Sequence, residues 1–218
     1  MLMTIANVIN DDSIAELRAD LSRLAFSDGR TSAGFAARIV KQNMQAAPDP
    51  LLDLWRDRIA NALLAHPLVQ MAARPKRVVG PMFSRYRSGD QYGLHVDDAM
   101  IDGVRADLSF TLFLSDPTAY DGGELVIEST AGSDSHKAVA GCIVLYPTTS
   151  LHRVAPVTRG ERLAAIGWVS SAIRDAAQRE LLFDLDTARH RIFETLGKST
   201  EYDLLSKSSA NLMRMWCD

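Results

Sequence analysis

The most regular strand pattern in the chain is Leu108-Ser109-Phe110-Thr111-Leu112-Phe113-Leu114. The leucines and Phe110 occupy every second position, and Ser109, Thr111 and Phe113 lie between them. A period of two is typical of a β-strand that packs one face against a core. The segment therefore predicts a strand near the middle of the chain.

Shorter strand patterns surround this segment and end at glycine or proline. Residues 124–128 follow the turn Asp121-Gly122-Gly123, and residues 142–146 form an apolar run that Pro147 ends. Residues 152–157 and 162–169 read as two further strands, and we expect residues 158–161 between them to form a hairpin-like turn. Many short strands at close spacing favour a sandwich or a jelly roll.

Helical patterns lie on both sides of the strand-rich region. Before it, Asp12-Ser13 and Asp49-Pro50 are expected to begin two amphipathic helices. Their inward-facing positions are Ile14, Leu17, Leu21 and Leu24, and then Leu51, Leu54, Ile59 and Leu63. After it, two apolar stripes predict helices that pack on the core, with a homodimer contact as the alternative. The stripes contain Leu181, Leu182, Leu185 and Ile192, and then Leu204, Leu205, Leu212, Met213, Met215 and Trp216.

These patterns predict an α+β fold with three parts. Residues 1–76 form an N-terminal helical region that packs on the core, residues 77–171 form the strand-rich core, and residues 172–218 form a C-terminal helical extension. A length of 218 residues suits one substantial domain with extensions, or one and a half domains.

Composition limits the partners and the cellular location. The formal net charge of −3 gives no electrostatic indication of nucleic acid or of an anionic membrane, although a local basic patch remains open. No signal peptide is indicated at the N-terminus, and no apolar run approaches the roughly 18 residues of a spanning helix. The two cysteines, Cys142 and Cys217, do not form a disulfide framework. We therefore expect a cytoplasmic protein.

Three residues have the chemistry of a metal site. In a strand, His95 and Asp97 point to the same face, and His152 begins another strand 57 residues later (152 − 95 = 57). Two imidazoles and one carboxylate suit Fe(II) and leave coordination positions open, although Mn, Co, Ni or Zn could use the same ligands. Taken alone, His-x-Asp is a weak motif, because a histidine is often a core or surface residue.

Arg162 lies ten positions after His152 (162 − 152 = 10) and opens a strand. A cation that points inward from a strand needs a partner, and a guanidinium can grip a carboxylate through two parallel hydrogen bonds. A dicarboxylic 2-oxo acid could chelate a metal at one end and meet Arg162 at the other. The alternative is a pair between Arg162 and Glu161 or another nearby acid.

A longer motif precedes the metal residues, since Tyr86, Gly89, Tyr92 and His95 recur at intervals of three within residues 85–97. With the segments that follow it, this motif resembles the iron(II)/2-oxoglutarate dioxygenases of the prolyl 4-hydroxylase type, and more closely the bacterial PKHD-type hydroxylases. The resemblance extends over essentially the whole chain. Its other matching segments are residues 82–86, 107–109, 112–117, 120–127, 145–147, 150–152, 156–160, 174–179 and 182–186.

The resemblance implies a double-stranded β-helix (jelly-roll) core that binds Fe(II) through His95, Asp97 and His152. Arg162 would bind the distal carboxylate of 2-oxoglutarate; animal prolyl hydroxylases usually have lysine there, whereas the bacterial group has arginine. Tyr86 would hydrogen-bond the cosubstrate, with a core tyrosine as the alternative. The implied reaction uses O2 to hydroxylate a substrate and releases succinate and CO2, and L-ascorbate is expected to support the activity.

The sequence leaves two alternative functions open. A non-catalytic metal-binding jelly roll that acts as a sensor or interaction module is one alternative, and a cupin-like metal enzyme that does not use 2-oxoglutarate is another. Asp98 is expected to contact solvent or to support the site, His136 to lie in a loop, and His66 and His190 to lie on helices. The motifs bind the metal and the cosubstrate and do not identify the substrate, which is a small molecule or a peptide. The N-terminal helices and residues 28–34 could shape its entrance.

Overall fold

The computed structural model describes all 218 residues and contains five α-helices and fifteen β-strands. The helices are α1 (Asp11–Arg23), α2 (Pro50–Ala65), α3 (Pro67–Ala73), α4 (Ala176–Leu196) and α5 (Thr200–Trp216). The strands are β1 (Met3–Ile5), β2 (Phe26–Asp28), β3 (Lys41–Gln42), β4 (Met44–Ala46), β5 (Pro75–Arg87), β6 (Gln91–His95), β7 (Met100–Ile101), β8 (Val104–Arg105), β9 (Leu108–Phe113), β10 (Tyr120–Gly122), β11 (Leu125–Ser129), β12 (Gly132–His136), β13 (Ile143–Pro147), β14 (His152–Val154) and β15 (Val157–Ser171).

The strands form two antiparallel sheets and a small ribbon. The major sheet has eight strands in the order β1-β13-β9-β15-β5-β4-β2, with β10 paired to β15. The minor sheet has five strands in the order β12-β11-β14-β6-β3, and β7 pairs with β8. Together with the flanking helices, these sheets confirm the predicted α+β fold with a jelly-roll core.

The strand β9 lies at the centre of the packing, and all six of its residues are buried. Phe110 and Leu112 join a hydrophobic cluster with Leu17, Leu52 and Trp55, so the N-terminal helices cover one face of the major sheet. The other face carries polar Ser109 and Thr111 together with Phe113, whose cluster includes residues of β11 in the minor sheet. The alternation in the sequence therefore separates a helix-covered face from a face that meets the second sheet.

The N-terminal part contributes strands as well as helices. Strand β1 pairs with β13, β4 pairs with β5, and β3 pairs with β6, so residues before 76 extend both sheets. These strands have two or three residues each, which is too short for a period-two pattern to stand out. The division of the chain at residues 76/77 and 171/172 stays a prediction.

Two local predictions were wrong. Residues 158–161 do not form a hairpin turn; they belong to β15, where Gly160 pairs with Tyr120 of β10 and Glu161 with Arg87 of β5. As a result, β14 and β15 lie in different sheets. In α2 the buried residues are Leu52, Trp55, Ile59 and Leu63, whereas Leu54 is 61% exposed. Positions 52, 55, 59 and 63 lie on one face of the helix because of their spacing, and position 54 lies on another face.

Helix α1 begins at Asp11, before the Asp12-Ser13 pair that was expected to cap it. Its N-cap is Asn10, whose side chain accepts a hydrogen bond from the backbone N–H of Ser13. This is the preferred chemistry for satisfying a free N–H at a helix start.

A buried carboxylate joins the C-terminal helices to the core. Asp186 of α4 accepts hydrogen bonds from Arg74, at the end of α3, and from Ser209 of α5, and it also pairs with Arg189. Its side chain is only 4% exposed. Among the predicted apolar positions of α4, Leu182 is fully buried but Leu181 is 47% exposed. None of the five helices combines the length and the apolarity that crossing a bilayer requires.

Candidate active site

Two neighbouring strands of the minor sheet bring the predicted metal residues together. His95 ends β6 and His152 begins β14, and these two histidines are direct cross-strand partners. Asp97 follows β6, and its Oδ1 lies 3.7 Å from the Nε2 atom of each histidine. One ligand atom from each of the three residues lies within 4.8 Å of the others, an arrangement that could hold a metal ion.

Hydrogen bonds orient both imidazoles toward the same point. Nδ1 of His95 donates to the carbonyl oxygen of Gly93 at 2.9 Å, and Nδ1 of His152 donates to that of Ser150 at 3.1 Å. A carbonyl oxygen can only accept, so Nδ1 carries the proton and Nε2 keeps a free lone pair. Burial, with a further contribution from His152, lowers the pKa of His95 to about 4. The neutral imidazole that metal binding requires is therefore favoured at physiological pH.

The carboxylate of Asp97 is held by one of its two oxygens. Oδ2 accepts hydrogen bonds from the hydroxyl of Ser109 at 2.7 Å and from the indole N–H of Trp168 at 2.9 Å. Oδ1, the oxygen near both histidines, is left to face the ligand point. Such partners fix a ligand's orientation and tune its basicity.

Ser109 and Trp168 were not predicted as site residues, although strand alternation contained a signal for one of them. Trp168 lies six residues after Arg162, so the two side chains point to the same face of β15. Ser109 is paired with Trp168 across β9 and β15. Only the pairing of these strands shows that both residues reach Asp97.

Arg162 is a buried cation without a protein partner. It is 1% exposed, and none of its three guanidinium nitrogens has a hydrogen bond within the protein. Its guanidinium carbon lies 5.2 Å from the ring centre of Tyr86 and 5.4 Å from that of Phe113. Glu161, the alternative partner considered from the sequence, pairs with Arg87 instead. A buried guanidinium with free N–H groups fits a carboxylate ligand.

Gly123 makes room for the Arg162 side chain. A Cβ at this position would lie 3.0 Å from Cδ of Arg162 and 2.9 Å from a methyl group of Val157. Its φ of +68° is also in the region that favours glycine. The second glycine of the Asp121-Gly122-Gly123 segment therefore contributes directly to the space around the arginine.

Tyr86 forms the wall beside Arg162. It is the direct cross-strand partner of Arg162 between β5 and β15. The residue is 2% exposed, and burial raises the pKa of its phenol to about 12. The hydroxyl is therefore protonated at neutral pH and is available as a hydrogen-bond donor.

One cavity of about 300 Å³ contains all of these groups. Its lining includes the three metal residues, Arg162 and Tyr86, together with residues 32–37 from the N-terminal part. Residues 28–34 were expected to shape the entrance, and three of them, Ser32, Ala33 and Gly34, line the cavity. Lys41, which was not predicted as a site residue, also lines the cavity.

Among the other titratable residues singled out in the sequence, only Asp98 reaches this centre. Asp98 lines the cavity but is exposed at its edge. His136 lies in β12 rather than in a loop, opposite Leu125. His66 is the residue before α3, and His190 donates to a backbone carbonyl within α4. None of these three histidines lines the cavity.

Comparison with known proteins identifies the family. A model of the 2OG-Fe(II) oxygenase superfamily matches residues 81–170, and a model of the PKHD-type hydroxylase C-terminal domain matches residues 176–218. A PKHD-type hydroxylase from Acaryochloris marina is 48% identical over 219 residues, with 100% of both chains covered. The chain belongs to the PKHD-type hydroxylases. A second PKHD-type hydroxylase, from Maricaulis maris, is 47% identical over 218 residues and is also covered at 100%.

Solved structures share the fold of this PKHD-type hydroxylase. A prolyl-4-hydroxylase from Pseudomonas putida has a TM-score of 0.58 at 23% identity, covering 78% of this chain and 92% of that one. HygX from Streptomyces hygroscopicus, with nickel, 2-oxoglutarate and hygromycin B bound, has a TM-score of 0.55 at 15% identity, covering 79% and 84%. At these identities the likeness concerns the jelly-roll fold.

The residues of this PKHD-type hydroxylase fit the cofactors that its superfamily uses, which are Fe(II), 2-oxoglutarate and O2. Two imidazoles and a carboxylate oxygen suit a divalent metal. The unpartnered guanidinium of Arg162 suits the far carboxylate of a dicarboxylic acid. The chain is an oxygenase, and the prediction of the reaction class is confirmed.

Proposed function

We propose that this PKHD-type hydroxylase holds Fe(II) through His95, Asp97 and His152 and binds the distal carboxylate of 2-oxoglutarate with Arg162. The observation that carries the proposal is the buried guanidinium of Arg162, which has no protein partner and lines the same cavity as the three candidate ligands. Burial of such a group is unfavourable unless a ligand supplies the missing hydrogen bonds.

When bound, the metal and the 2-oxo acid supply the oxidising chemistry that hydroxylates the substrate and yields succinate and CO2. The residues of the protein bind these groups and orient them. Ser109 and Trp168 hold Asp97 so that one oxygen faces the two histidines. The backbone carbonyls of Gly93 and Ser150 fix the Nδ1–H tautomer of each neutral imidazole, so that its Nε2 lone pair faces the metal position.

We assign Tyr86 a supporting role at the cosubstrate. Its phenol keeps its proton, and its ring lies beside the Arg162 guanidinium. A hydrogen bond from the hydroxyl to 2-oxoglutarate is the contact we propose. Replacement by Phe is expected to weaken 2-oxoglutarate binding by about tenfold and to leave metal binding unchanged. A direct titration of each ligand against the Y86F protein tests this, and an unchanged affinity for 2-oxoglutarate would leave Tyr86 as a packing residue.

The proposal has a direct spectroscopic test. Anaerobic addition of Fe(II) and 2-oxoglutarate to the folded protein should produce the weak visible charge-transfer band of a chelated 2-oxo acid. In Arg162→Ala the affinity for 2-oxoglutarate should fall far more than the affinity for iron. Arg159→Ala is the matched control, because Arg159 lies on the same strand but pairs with Asp121 at the surface.

Two outcomes would contradict the assignment. Absence of the band in folded, iron-loaded wild-type protein would exclude the proposed cosubstrate. Equal losses of iron and 2-oxoglutarate affinity in the Arg162 variant would exclude its role at the distal carboxylate, since that role concerns one ligand only.

Finer assignments extend this proposal. We propose that L-ascorbate supports turnover and that the protein works in the cytoplasm, a location that suits the unpaired Cys142 and Cys217. Succinate production with and without ascorbate, and cell fractionation, are the respective measurements. We also keep the division into residues 1–76, 77–171 and 172–218, which the family matches at residues 81–170 and 176–218 support.

We further propose that the C-terminal helices mediate a homodimer. Apolar side chains on α4 and α5 are exposed, among them Leu181, Phe193, Leu196, Leu204 and Met215. Exposed apolar surface on a soluble domain often marks an association surface. Sedimentation equilibrium of the wild-type protein and of Phe193→Ser measures this, and a monomer at all concentrations would exclude it.

A further inference from the structure

A second buried cation, Lys41, lines the cavity. It belongs to β3 and lies opposite Tyr92 of β6, the strand that ends at His95. Lys41 is 4% exposed. Its Nζ donates to the hydroxyl of Ser32 at 2.9 Å and stands 4.9 Å from the centre of the Tyr92 ring. No carboxylate lies within ion-pairing distance of this ammonium.

Among the buried charges of the site, that of Lys41 stays unbalanced when the metal and 2-oxoglutarate are bound; Asp98 also lines the cavity, but its carboxylate is exposed to solvent. The two charges of a divalent metal are matched by the two carboxylates of 2-oxoglutarate, and the charge of Arg162 is matched by that of Asp97. Lys41 then has only longer-range attraction from Asp97 and Asp28. Lysine is rarely buried without a partner. Burial lowers the pKa of Lys41 to about 8, so the ammonium form still predominates at neutral pH.

We propose that Lys41 binds a carboxylate of the substrate and that the substrate is a small carboxylic acid with an apolar body. The assignment rests on the proposed function, because it takes Arg162 to be occupied by 2-oxoglutarate. The Ser32 hydroxyl accepts one hydrogen bond from Lys41 and donates its own proton to the carbonyl oxygen of Gly29, so the other N–H groups of the ammonium are the donors that can bind a singly charged group.

The apolar body follows from the walls around Lys41. Phe35 and Val96 line the cavity and are 87% and 51% exposed, so they present apolar surface at its edge. Met82 and Ile166 continue this surface inside. The volume of about 300 Å³ is at the lower end for ligand cavities, which favours a small molecule.

Benzoate is a suitable probe, since it combines one carboxylate with an apolar ring, and benzamide is its neutral counterpart. Binding is measured by calorimetry on protein loaded with Mn(II) and saturating 2-oxoglutarate, so that Arg162 is occupied and no turnover occurs. We expect benzoate to bind at least about tenfold more tightly than benzamide, as a charge-assisted hydrogen bond would dictate.

Variants assign the effect to Lys41. Lys41→Met keeps the apolar stem and should weaken benzoate binding by about tenfold or more, to the level of benzamide. Lys41→Arg keeps the charge and should stay within about threefold of wild type. Ser32→Ala removes the hydroxyl that Lys41 contacts but leaves the ammonium, so benzoate should still be preferred over benzamide.

Each other outcome overturns the inference. Wild-type protein that does not bind benzoate, or binds it no better than benzamide, has no carboxylate site at Lys41. Unchanged benzoate affinity in Lys41→Met, or displacement of benzoate by added 2-oxoglutarate, assigns the anion to another position. If Lys41→Met does not fold, the wild-type comparison and Lys41→Arg decide. The charge-transfer band is measured before the benzoate titrations. Its absence would contradict the proposed function, whereas the benzoate results test Lys41 alone.

Discussion

Replacement of Arg162 by methionine should make the ligand-free protein more stable while abolishing its response to 2-oxoglutarate. Methionine is apolar and unbranched, so it can follow the path of the arginine side chain between Tyr86 and Phe113. The expected increase distinguishes a ligand-binding arginine from a structural one. Loss of an arginine that is paired inside the protein would lower stability instead.

The magnitude follows from the contacts of the guanidinium. Its three nitrogens lack hydrogen bonds in the buried site, and an unsatisfied buried group costs about 1–3 kcal/mol. The two aromatic rings offset part of this, at about 0.5–2 kcal/mol each. At about 1.5 kcal/mol for each of the three nitrogens, less about 1 kcal/mol for each of the two rings, Arg162→Met should gain about 2.5 kcal/mol. In a chain of this size each kcal/mol shifts Tm by about 2–4 °C, so Tm should rise by roughly 5–10 °C.

The loss of cosubstrate binding is larger. Two charge-assisted hydrogen bonds contribute about 1.5–3 kcal/mol each. Their removal therefore raises the Kd for 2-oxoglutarate by about 10²- to 10⁴-fold. A saturating ligand at about 100 times its Kd stabilises the wild-type protein by about 2.7 kcal/mol, and this increment should vanish in the variant.

Thermal unfolding by calorimetry, with and without Mn(II) and 2-oxoglutarate, measures both effects in one series. Without ligand the variant should melt above the wild type, and with ligand the order should reverse or the gap should close. Arg159→Met serves as the control, because Arg159 is 61% exposed and pairs at the surface. A lower Tm of ligand-free Arg162→Met, or a preserved shift with 2-oxoglutarate, would refute the reasoning.

Three further changes test other contacts. Trp168→Phe removes the donor to Asp97 and should weaken metal binding by about tenfold or more in chelator competition. Asp186→Ala removes the buried carboxylate that pairs with Arg74 and should lower the free energy of unfolding in urea by about 3 kcal/mol. The pKa of Lys41 is 10.5 in the unfolded chain, and burial lowers it to about 8 in the folded protein. Between these values the unfolded state binds more protons, so wild-type stability should rise with pH relative to Lys41→Met.

Controls separate these effects from general damage. Trp55→Phe removes a comparable indole bond, to Asp20, far from the metal residues and should leave metal affinity unchanged. The Asp186 variant should keep wild-type affinity for 2-oxoglutarate once folded; a selective loss of that affinity would contradict a purely structural role. For Lys41, equal pH slopes of wild type and variant between about pH 8 and pH 10 would show that its proton does not contribute.

Local patterns in the sequence were sufficient for much of the fold and for the choice of the candidate metal residues, which the structure brings together. The alternation in β9 predicted a strand with two unlike faces, because side chains in a strand repeat every two residues. The choice of two histidines and one carboxylate followed from ligand chemistry alone. Residues 158–161 misled the prediction, since a glycine within a polar segment resembles a turn when its partners on β10 and β5 are unknown.

The sequence by itself determined which residue types could bind a metal and a dicarboxylate, because that property belongs to the side chains. Only the tertiary structure decided which of them act together. Trp168 reaches Asp97 from 71 positions away, and Lys41 lies beside β6 through a two-residue strand with no recognisable pattern. Such contacts depend on strand order and register. These arise from the packing of the whole chain, and no local window of sequence contains them.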